Sequence, residues 1–133
     1  MQRLALVVRR HDRGRRRYRW LLVAPAVLVL ALTGRVVSTD PVGYGVPFWP
    51  FANGNDRVEH RVMDQVTSVA RTLRRLDAVP SALVAQGIEV LDARVGAGAV
   101  WLRLRVRVPD GTRCREVSVL GDGVQVHSRR VDC

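Results

Sequence analysis

The feature that most constrains the fold of this chain is an uncharged apolar run close to its N-terminus. Residues 20–34 read WLLVAPAVLVLALTG, and two valines continue the run beyond Arg35. A helix over residues 20–37 measures about 27 Å, slightly less than the hydrocarbon core of a bilayer at about 30 Å. The guanidinium of Arg35 can extend to the interface, so this length is sufficient. We therefore predict a transmembrane helix over residues 20–38, and the lipid bilayer is the first expected partner.

The distribution of arginine predicts the orientation of this helix. Of the formal net charge of +10, residues 1–19 carry +7, because they hold eight Arg and a single acid, Asp12. Basic residues mark the cytoplasmic flank of a membrane helix. We expect a cytoplasmic tail over residues 1–19 and an extracytoplasmic remainder, with Trp20 and Arg35 as anchors at the two membrane interfaces. Nucleic acid is not an expected partner, because a nucleic-acid-binding domain carries its positive charge on the folded part.

A cleaved signal peptide is the alternative interpretation, since it also combines a basic start with an apolar run. Residues 29–31 read VLA and satisfy the small-residue rule for cleavage, but a cut there truncates the apolar run. We favour the uncleaved anchor, and a secreted product is the alternative. All 22 basic residues are Arg, a bias typical of GC-rich genomes, which indicates a bacterial protein.

Residues 39–55 form a connector in which we expect no regular structure. Three prolines and three glycines interrupt it, and four aromatic residues lie among them. Because the segment begins within a few residues of the bilayer, we expect Phe48 and Trp49 to lie at the outer membrane interface, or to fold back onto the domain that follows. An extended polyproline-like ligand at residues 47–50 is a weaker interpretation.

Residues 56–133 predict one small extracytoplasmic α+β domain. Over residues 56–76 apolar side chains recur three and four apart, which predicts an amphipathic helix capped by Asn55 or Asp56. Residues 99–108 read AVWLRLRVRV, and this alternation is typical of a half-buried strand. We predict a four-stranded antiparallel meander with the helix packed on its apolar face.

Three short turns predict the register of this sheet. We interpret residues 97–98, 110–111 and 122–123 as two-residue hairpin loops. The predicted opposite pairs are Leu91–Leu104, Leu104–Val117, Leu102–Val119 and Val119–Val126. The inner face is then continuously apolar, and a one-residue slip in any turn would break it.

Cys114 and Cys133 are the only two cysteines, and both lie in the segment that we place outside the cytoplasm. The predicted register puts Cys114 opposite Val131, so a disulfide with Cys133 requires the C-terminus to curl inward. With no third Cys and no adjacent His, we expect no metal site. His127 and Ser118 are predicted neighbours, but no orienting acid or oxyanion donor accompanies them. We therefore expect no catalytic residue and no cofactor, and we do not interpret the chain as an enzyme.

The outer face of the predicted sheet is the candidate interaction face, because it combines arginines with apolar side chains. Its residues are Trp101, Arg103, Arg105, Arg107, Leu120 and Arg129. The two acids predicted on this face, Asp92 and Glu116, are too few to neutralise the arginines, and we also place Ile88 and Val90 there. Exposed Trp and Arg side chains are typical of a partner-binding surface.

These features favour a non-enzymatic accessory or scaffold protein of a cell-envelope complex, anchored by one membrane helix and bound to a protein partner. The alternative is an exported module that binds an anionic polymer or lipid headgroup through the arginines of the candidate face.

A reporter fused after Cys133 tests the orientation. We expect it to be active outside the cytoplasm, and we expect the chain to stay with the membranes after an alkaline wash, because the arginines of residues 1–19 hold that end in the cytoplasm. A control variant with these eight arginines changed to Gln should lose the preferred orientation. A soluble mature product that lacks residues 1–31 would identify a cleaved signal peptide instead.

Overall fold

The computed structural model describes residues 12–121, 123 and 125–133, with side chains from Tyr18 onwards. Within them the chain forms helices, one 3-10 turn and four strands. In chain order the elements are α1 (Asp12–Val37), α2 (Gly54–Leu73), the 3-10 turn (Leu76–Ala78), α3 (Val79–Ala85), β1 (Glu89–Gly96), β2 (Ala99–Val108), β3 (Gly111–Leu120) and β4 (Gln125–Val131). The chain divides between residues 35 and 36 into two compact units.

Helix α1 is the apolar N-terminal helix that the sequence predicts. Its residues Tyr18–Val37 are long and apolar enough to cross a membrane, and none of the window that meets this criterion is buried. A helix of this length and composition near the N-terminus serves as a membrane anchor or as a signal sequence. The helix begins at Asp12, eight residues before the predicted start, and residues 1–11 of the predicted tail lie outside the described residues.

Helix α2 starts earlier and ends earlier than the sequence predicts. Asn53, not Asn55 or Asp56, is its N-cap. The Asn53 side chain accepts a hydrogen bond from the backbone of Asp56 at 3.0 Å, and the Asp56 carboxylate accepts one from the backbone of Asn53 at 2.8 Å. This reciprocal capping box satisfies two otherwise unpaired N–H groups. Arg74 adopts a left-handed conformation with φ of 50° and ends the helix after Leu73.

The four strands form an antiparallel sheet in the order β1-β2-β3-β4, as predicted. The β1–β2 pairing has the predicted register from Asp92 to Gly96, with Ala93 opposite Leu102, and the β3–β4 pairing has it throughout, with Val119 opposite Val126. The first pairing contains a bulge at Leu91, so Val90 and not Leu91 lies opposite Leu104. An extra residue reverses the alternation along the rest of the strand. Ile88 and Val90, predicted on the outer face, therefore lie on the inner side, the first buried and the second packed against the core.

The second hairpin is shifted by two residues relative to the prediction. Residues 109–110 form its turn, and Val108 pairs with Gly111, so Leu104 lies opposite Arg115 and not opposite Val117. A shift of two residues leaves every side chain on the same face, so the hydrophobic pattern does not distinguish the two registers. The consequence is that Arg115 lies beside the core and is fully buried.

One hydrophobic cluster forms the core of the domain. Its residues come from the connector, from helices α2 and α3, and from the sheet and the residue before it. Its members are Val42, Met63, Val66, Val69, Ala70, Val79, Leu83, Ile88, Val100, Leu102, Leu104, Val117 and Val119. Four of the five alternate β2 residues that the sequence places inward are buried, and the fifth, Val108, is half-buried; Ala99 at the start of the strand is buried as well. The strand residues of this cluster all lie on the inner face of the sheet, so the outer face is not part of the core.

The predicted disulfide joins Cys114 and Cys133, with their Cα atoms 5.1 Å apart. Cys114 lies opposite Val131, as predicted, and the two residues after β4 bring Cys133 back over it. The bond links β3 to the end of the described chain across a sequence separation of 19 residues. Closing a loop of this size stabilises the folded state by about 3 kcal/mol.

Replacement of Cys133 with Ser tests this contribution. Cys133 is exposed, so the change removes the disulfide without opening a cavity. We expect the melting temperature of the full chain in detergent to fall by about 10–20 °C, as for a loss of about 3 kcal/mol from a small domain. The wild type under reducing conditions is the matched control, because it keeps the buried Cys114 thiol, and it should show a similar decrease. Free thiols that react in folded, unreduced wild-type protein would contradict the assignment.

Candidate interaction face

Six charged side chains form a largely buried network on the inner side of the sheet. These contacts were not predicted from the sequence. The network consists of Asp40, Asp56, Glu59, Arg113, Arg115 and Arg130. At its centre the carboxylate of Glu59 accepts a hydrogen bond from Arg115 Nη1 at 2.6 Å, and both side chains are completely buried. The same carboxylate accepts one from Arg113 Nη1 at 2.7 Å. A buried ion pair is stable only when its remaining charges and protons find partners. The other members of the network pair with the carboxylates and with Nη1 and Nη2 of Arg115, whereas the Nε atoms of Arg115 and Arg130 are buried without a hydrogen bond among the described residues.

Asp40 extends this network into the connector. Its carboxylate accepts hydrogen bonds from Arg115 Nη1 at 2.8 Å and from the backbone N–H of Arg130 at 2.9 Å. The guanidinium of Arg130 also donates to the carbonyl of Thr39. Gly43 follows closely, and a side chain there would come within 3.0 Å of the Ser128 carbonyl. The first residues of the connector are therefore held against β3 and β4.

The network holds two carboxyl groups in their ionised form. Burial by itself raises the pKa of Asp40, but the hydrogen bonds from Arg115 and Arg130 lower it by more. For Asp56, burial is likewise outweighed, first by the hydrogen bond from the Asn53 backbone and then by two arginines. Because both pKa values are lower in the folded state, these carboxylates stabilise the fold above the ordinary carboxyl pKa of about 4. That contribution is lost as the pH falls through the lowered values.

A sequence signal for the network exists. The helical pattern places Glu59 off the apolar stripe, as a charge that favours the helix dipole, yet Glu59 lies one helical turn before the buried Met63. In β3, Arg115 has the same alternation as Val117 and Val119, so it points to the core face. When a helix and a neighbouring strand each carry a charged residue at the spacing of their buried apolar residues, the pattern predicts a buried ion pair.

The outer face of the sheet carries most of the residues that the sequence predicts as the interaction face. Trp101 is 46% exposed there. It lines a shallow groove of about 640 Å³ together with Arg103, Glu116, Arg129 and Val131. Asp92 and Arg94 of β1 also line this groove. We call this surface the Trp101 groove.

Two arginines of the predicted face are neutralised by carboxylates. Arg105 Nη1 donates to Glu89 at 2.8 Å, and Arg129 Nε donates to Glu116 at 2.7 Å. The second pair was predicted, whereas Glu89 was not counted among the acids of this face. All four side chains are substantially exposed, so each pair contributes little to stability.

Two other arginines have no carboxylate partner among the described residues. Arg103 donates to the backbone carbonyl of Asp132 at 2.7 Å, and Arg107 is exposed with no ion pair. Asp92 lies opposite Arg103 in the sheet, as predicted, but its carboxylate contacts Arg94 at 3.4 Å. The face therefore keeps an excess of positive charge.

The structure brings together only part of the predicted set. Trp101, Arg103 and Arg129 share the Trp101 groove, whereas Arg105 and Arg107 line a separate depression beside the loop after α3. Leu120 is half-buried at the end of β3, outside the groove.

The predicted membrane anchors are exposed side chains. Trp20 is 71% exposed on α1, and Phe48 and Trp49 are 55% and 79% exposed on the connector. Phe48 packs edge-to-face against Phe51, with ring centroids 5.7 Å apart. None of the residues that line the Trp101 groove comes from the connector, so the described connector does not cover this face.

No group of three or more His, Cys, Asp or Glu side chains is placed to hold a metal ion within residues 12–121, 123 and 125–133. His127 lies opposite Ser118, as predicted. The two side chains share a small depression of about 300 Å³ beside Trp101. This depression adjoins the Trp101 groove, since Trp101, Glu116 and Arg129 line both.

Comparison with models of known protein families, with curated proteins and with solved structures gives no significant match. The function is therefore inferred from the residues of this chain alone.

Replacement of Glu59 with Gln tests the buried network. The change leaves Arg115 buried beside a neutral amide, so we expect the free energy of unfolding at pH 7 to fall by about 3–5 kcal/mol. Glu116→Gln is the matched control, because it removes an exposed carboxylate from an exposed pair and should cost less than about 1 kcal/mol. Chemical denaturation of the full chain in detergent measures both. Equal losses in the two variants would contradict a central role for the Glu59–Arg115 pair.

Proposed function

We propose that this chain is a single-pass, membrane-anchored accessory or scaffold protein of the cell envelope, and that its extracytoplasmic domain binds a protein partner through the Trp101 groove. Helix α1 is exposed, apolar and flanked by arginine, which supports an anchor with a cytoplasmic N-terminus. The disulfide supports an oxidising compartment, because such bonds are rare in the cytosol.

The observation that carries the proposal is the composition of the Trp101 groove. An indole that is nearly half exposed lies in one concave surface with Arg103 and Arg129. Trp and Arg dominate the energetics of protein interfaces, because they combine a large apolar contact area with directional hydrogen bonding. Arg103 donates to a backbone carbonyl and not to a carboxylate. The groove therefore suits a partner segment that offers one apolar side chain beside a carboxylate.

The arrangement of the domain favours this face over the other. In this proposal α2 lies on the inner face of the sheet with its apolar side, and the Glu59–Arg115 pair closes that side to solvent. Residues of α2 and of the inner face already share one buried cluster. A partner that approaches the sheet broadside therefore meets the outer face.

A binding module for an anionic ligand is the second candidate. The arginines without a carboxylate partner, Arg103 and Arg107, favour it, because each offers a guanidinium to a phosphate or carboxylate group. They line different depressions, however, and the other two arginines of the face are already paired. We therefore place this alternative second.

Site-specific photo-cross-linking in intact cells of the native host tests the proposal. A photoreactive residue at position 118, in the depression that adjoins the groove at Trp101, should form one discrete adduct with another protein, and one at Thr72 on the exposed side of α2 should form none. Trp101→Ala and Arg103→Glu should each weaken the association about thirtyfold or more, as for hot-spot residues. The melting temperature of both variants should stay within a few degrees of the wild type.

Arg71→Glu is the matched control, because Arg71 is an exposed arginine of α2 that does not line the groove, and it should leave the adduct intact. An adduct that persists in Trp101→Ala would contradict the proposal. Binding of the purified chain to anionic vesicles or polymers that is lost at high salt and in Arg107→Ala would favour the second candidate.

A further inference from the structure

The two edge strands of the sheet, β1 and β4, are covered by the rest of the chain to different extents. At β4, the backbone N–H of Arg130 donates to Asp40, and Gly43 lies close to the carbonyl of Ser128. The connector thus covers part of that edge. At β1, six of eight residues are exposed, and no described segment hydrogen-bonds to the free edge of the strand.

An open edge strand normally carries protection against pairing with another chain. Proline, lysine, a β-bulge or an inward-pointing charge usually provides it. Strand β1 reads EVLDARVG, with neither Pro nor Lys, and beyond its bulge at Leu91 residues 92–96 pair regularly with β2 and carry no such protection. It exposes two large apolar side chains, Leu91 at 39% and Val95 at 52%. This composition favours a strand that is paired in the working state of the protein.

We propose that β1 pairs antiparallel with β1 of a second copy of this chain, about a two-fold axis at Ala93, so that the two sheets continue across the interface. In this register each Asp92 lies opposite Arg94 of the other copy, and each Val95 extends toward the bulge at Leu91 of the other copy. The charge pair occurs twice by symmetry, as an isologous interface requires. The regular part of the strand is therefore complementary to itself in charge.

The backbone of β1 has the phase that this register needs. Gly96 and Ala99 flank the two-residue turn of the first hairpin, and such flanking residues form a hydrogen-bonded pair. By alternation Arg94 bonds to β2, which leaves the N–H and C=O groups of Ala93 and Val95 on the free edge. A two-fold axis at Ala93 makes Ala93 a hydrogen-bonded pair with its own copy. It also makes Asp92 and Arg94 a non-hydrogen-bonded pair, in which side chains come closest.

A cleft beside β1 provides space for the apolar part of the contact. It has a volume of about 480 Å³ and is lined by Pro80 and Val84 of α3 and by residues 90–93 of β1. Val84 is 57% exposed at this cleft. The proposed register brings Val95 of the second copy toward the bulge at Leu91, which lines this cleft. Pairing therefore covers the apolar side chains that the isolated domain leaves in solvent.

Charge selects a second copy over an unrelated strand as the occupant. Near the axis, β1 presents one acid and one arginine to the outer face, Asp92 and Arg94. Both side chains are exposed, and they form a salt bridge with each other. A partner strand whose charges all have one sign would be repelled either by Asp92 or by Arg94. Only a strand with the reverse order of charges matches both, and the same strand read antiparallel has that order.

Charge reversal in the purified full chain, in detergent at micromolar concentration, tests the proposal by light scattering and chemical cross-linking. We expect the wild type to be a dimer. Asp92→Arg and Arg94→Asp each place like charges opposite one another twice, so each should weaken dimerisation by about tenfold or more. The double variant Asp92→Arg/Arg94→Asp reverses both charges and should restore the dimer. Arg61→Asp, an exposed charge reversal on α2, should leave the dimer unchanged.

A backbone variant provides the second test. Ala93→Pro removes the central N–H of the free edge, which an edge strand tolerates, so it should give a folded monomer with a melting temperature close to that of the single charge variants. A monomeric wild type overturns the proposal. Single reversals that remain as dimeric as the wild type, or a double variant that stays monomeric, also overturn it. Because only the purified chain is used, these outcomes are independent of whether the Trp101 groove binds a protein partner.

Discussion

The ion pair between Glu59 and Arg115 is the interaction on which the rest of the domain depends. Both side chains are completely buried, so each would be an uncompensated charge without the other. The pair joins the first turns of α2 to the middle of β3, 56 residues apart in the chain. It is accompanied by hydrogen bonds from Arg113 and Arg130, which bring in the neighbouring positions of β3 and β4. A burial of this kind contributes more to a unique arrangement than to net stability, since a hydrophobic replacement of similar volume is often as stable.

This pair also explains the register of the second hairpin. The turn predicted at residues 110–111 would place Arg115 opposite Val106, and the observed turn places it opposite Leu104. Both arrangements keep the same faces, so the hydrophobic effect is nearly indifferent between them. Arg115 finds Glu59 in the observed register, and Asp110 in the turn accepts a hydrogen bond from Asn55 at 2.7 Å. Polar partners therefore select between two registers that apolar burial does not separate.

Asp40 connects this network to the surfaces that remain free. Because Asp40 holds the start of the connector against Arg115 and Arg130, the connector runs along the β4 side of the sheet. The outer face is then left open at Trp101, and the opposite edge is left open along β1. One buried polar cluster thus determines which surfaces the domain offers, and both surfaces to which we assign partners lie where the connector does not reach. A small domain can present two such surfaces because its disulfide supplements a modest core.

The sequence by itself determined most elements of this protein and, for β2, β3 and β4, the sides they face. An uncharged run predicts α1, a period of two predicts β2, and two cysteines in an exported segment predict the disulfide, since each is a local or one-dimensional pattern. The alternation along β2 likewise placed Trp101 and Arg103 on the outer face. Only the tertiary structure decided the bulge at Leu91, the two-residue shift of the second hairpin and the partner of each charged side chain. These depend on contacts between residues far apart in the chain, where an acid of a helix meets an arginine of a strand, and periodicity carries no information about such pairs.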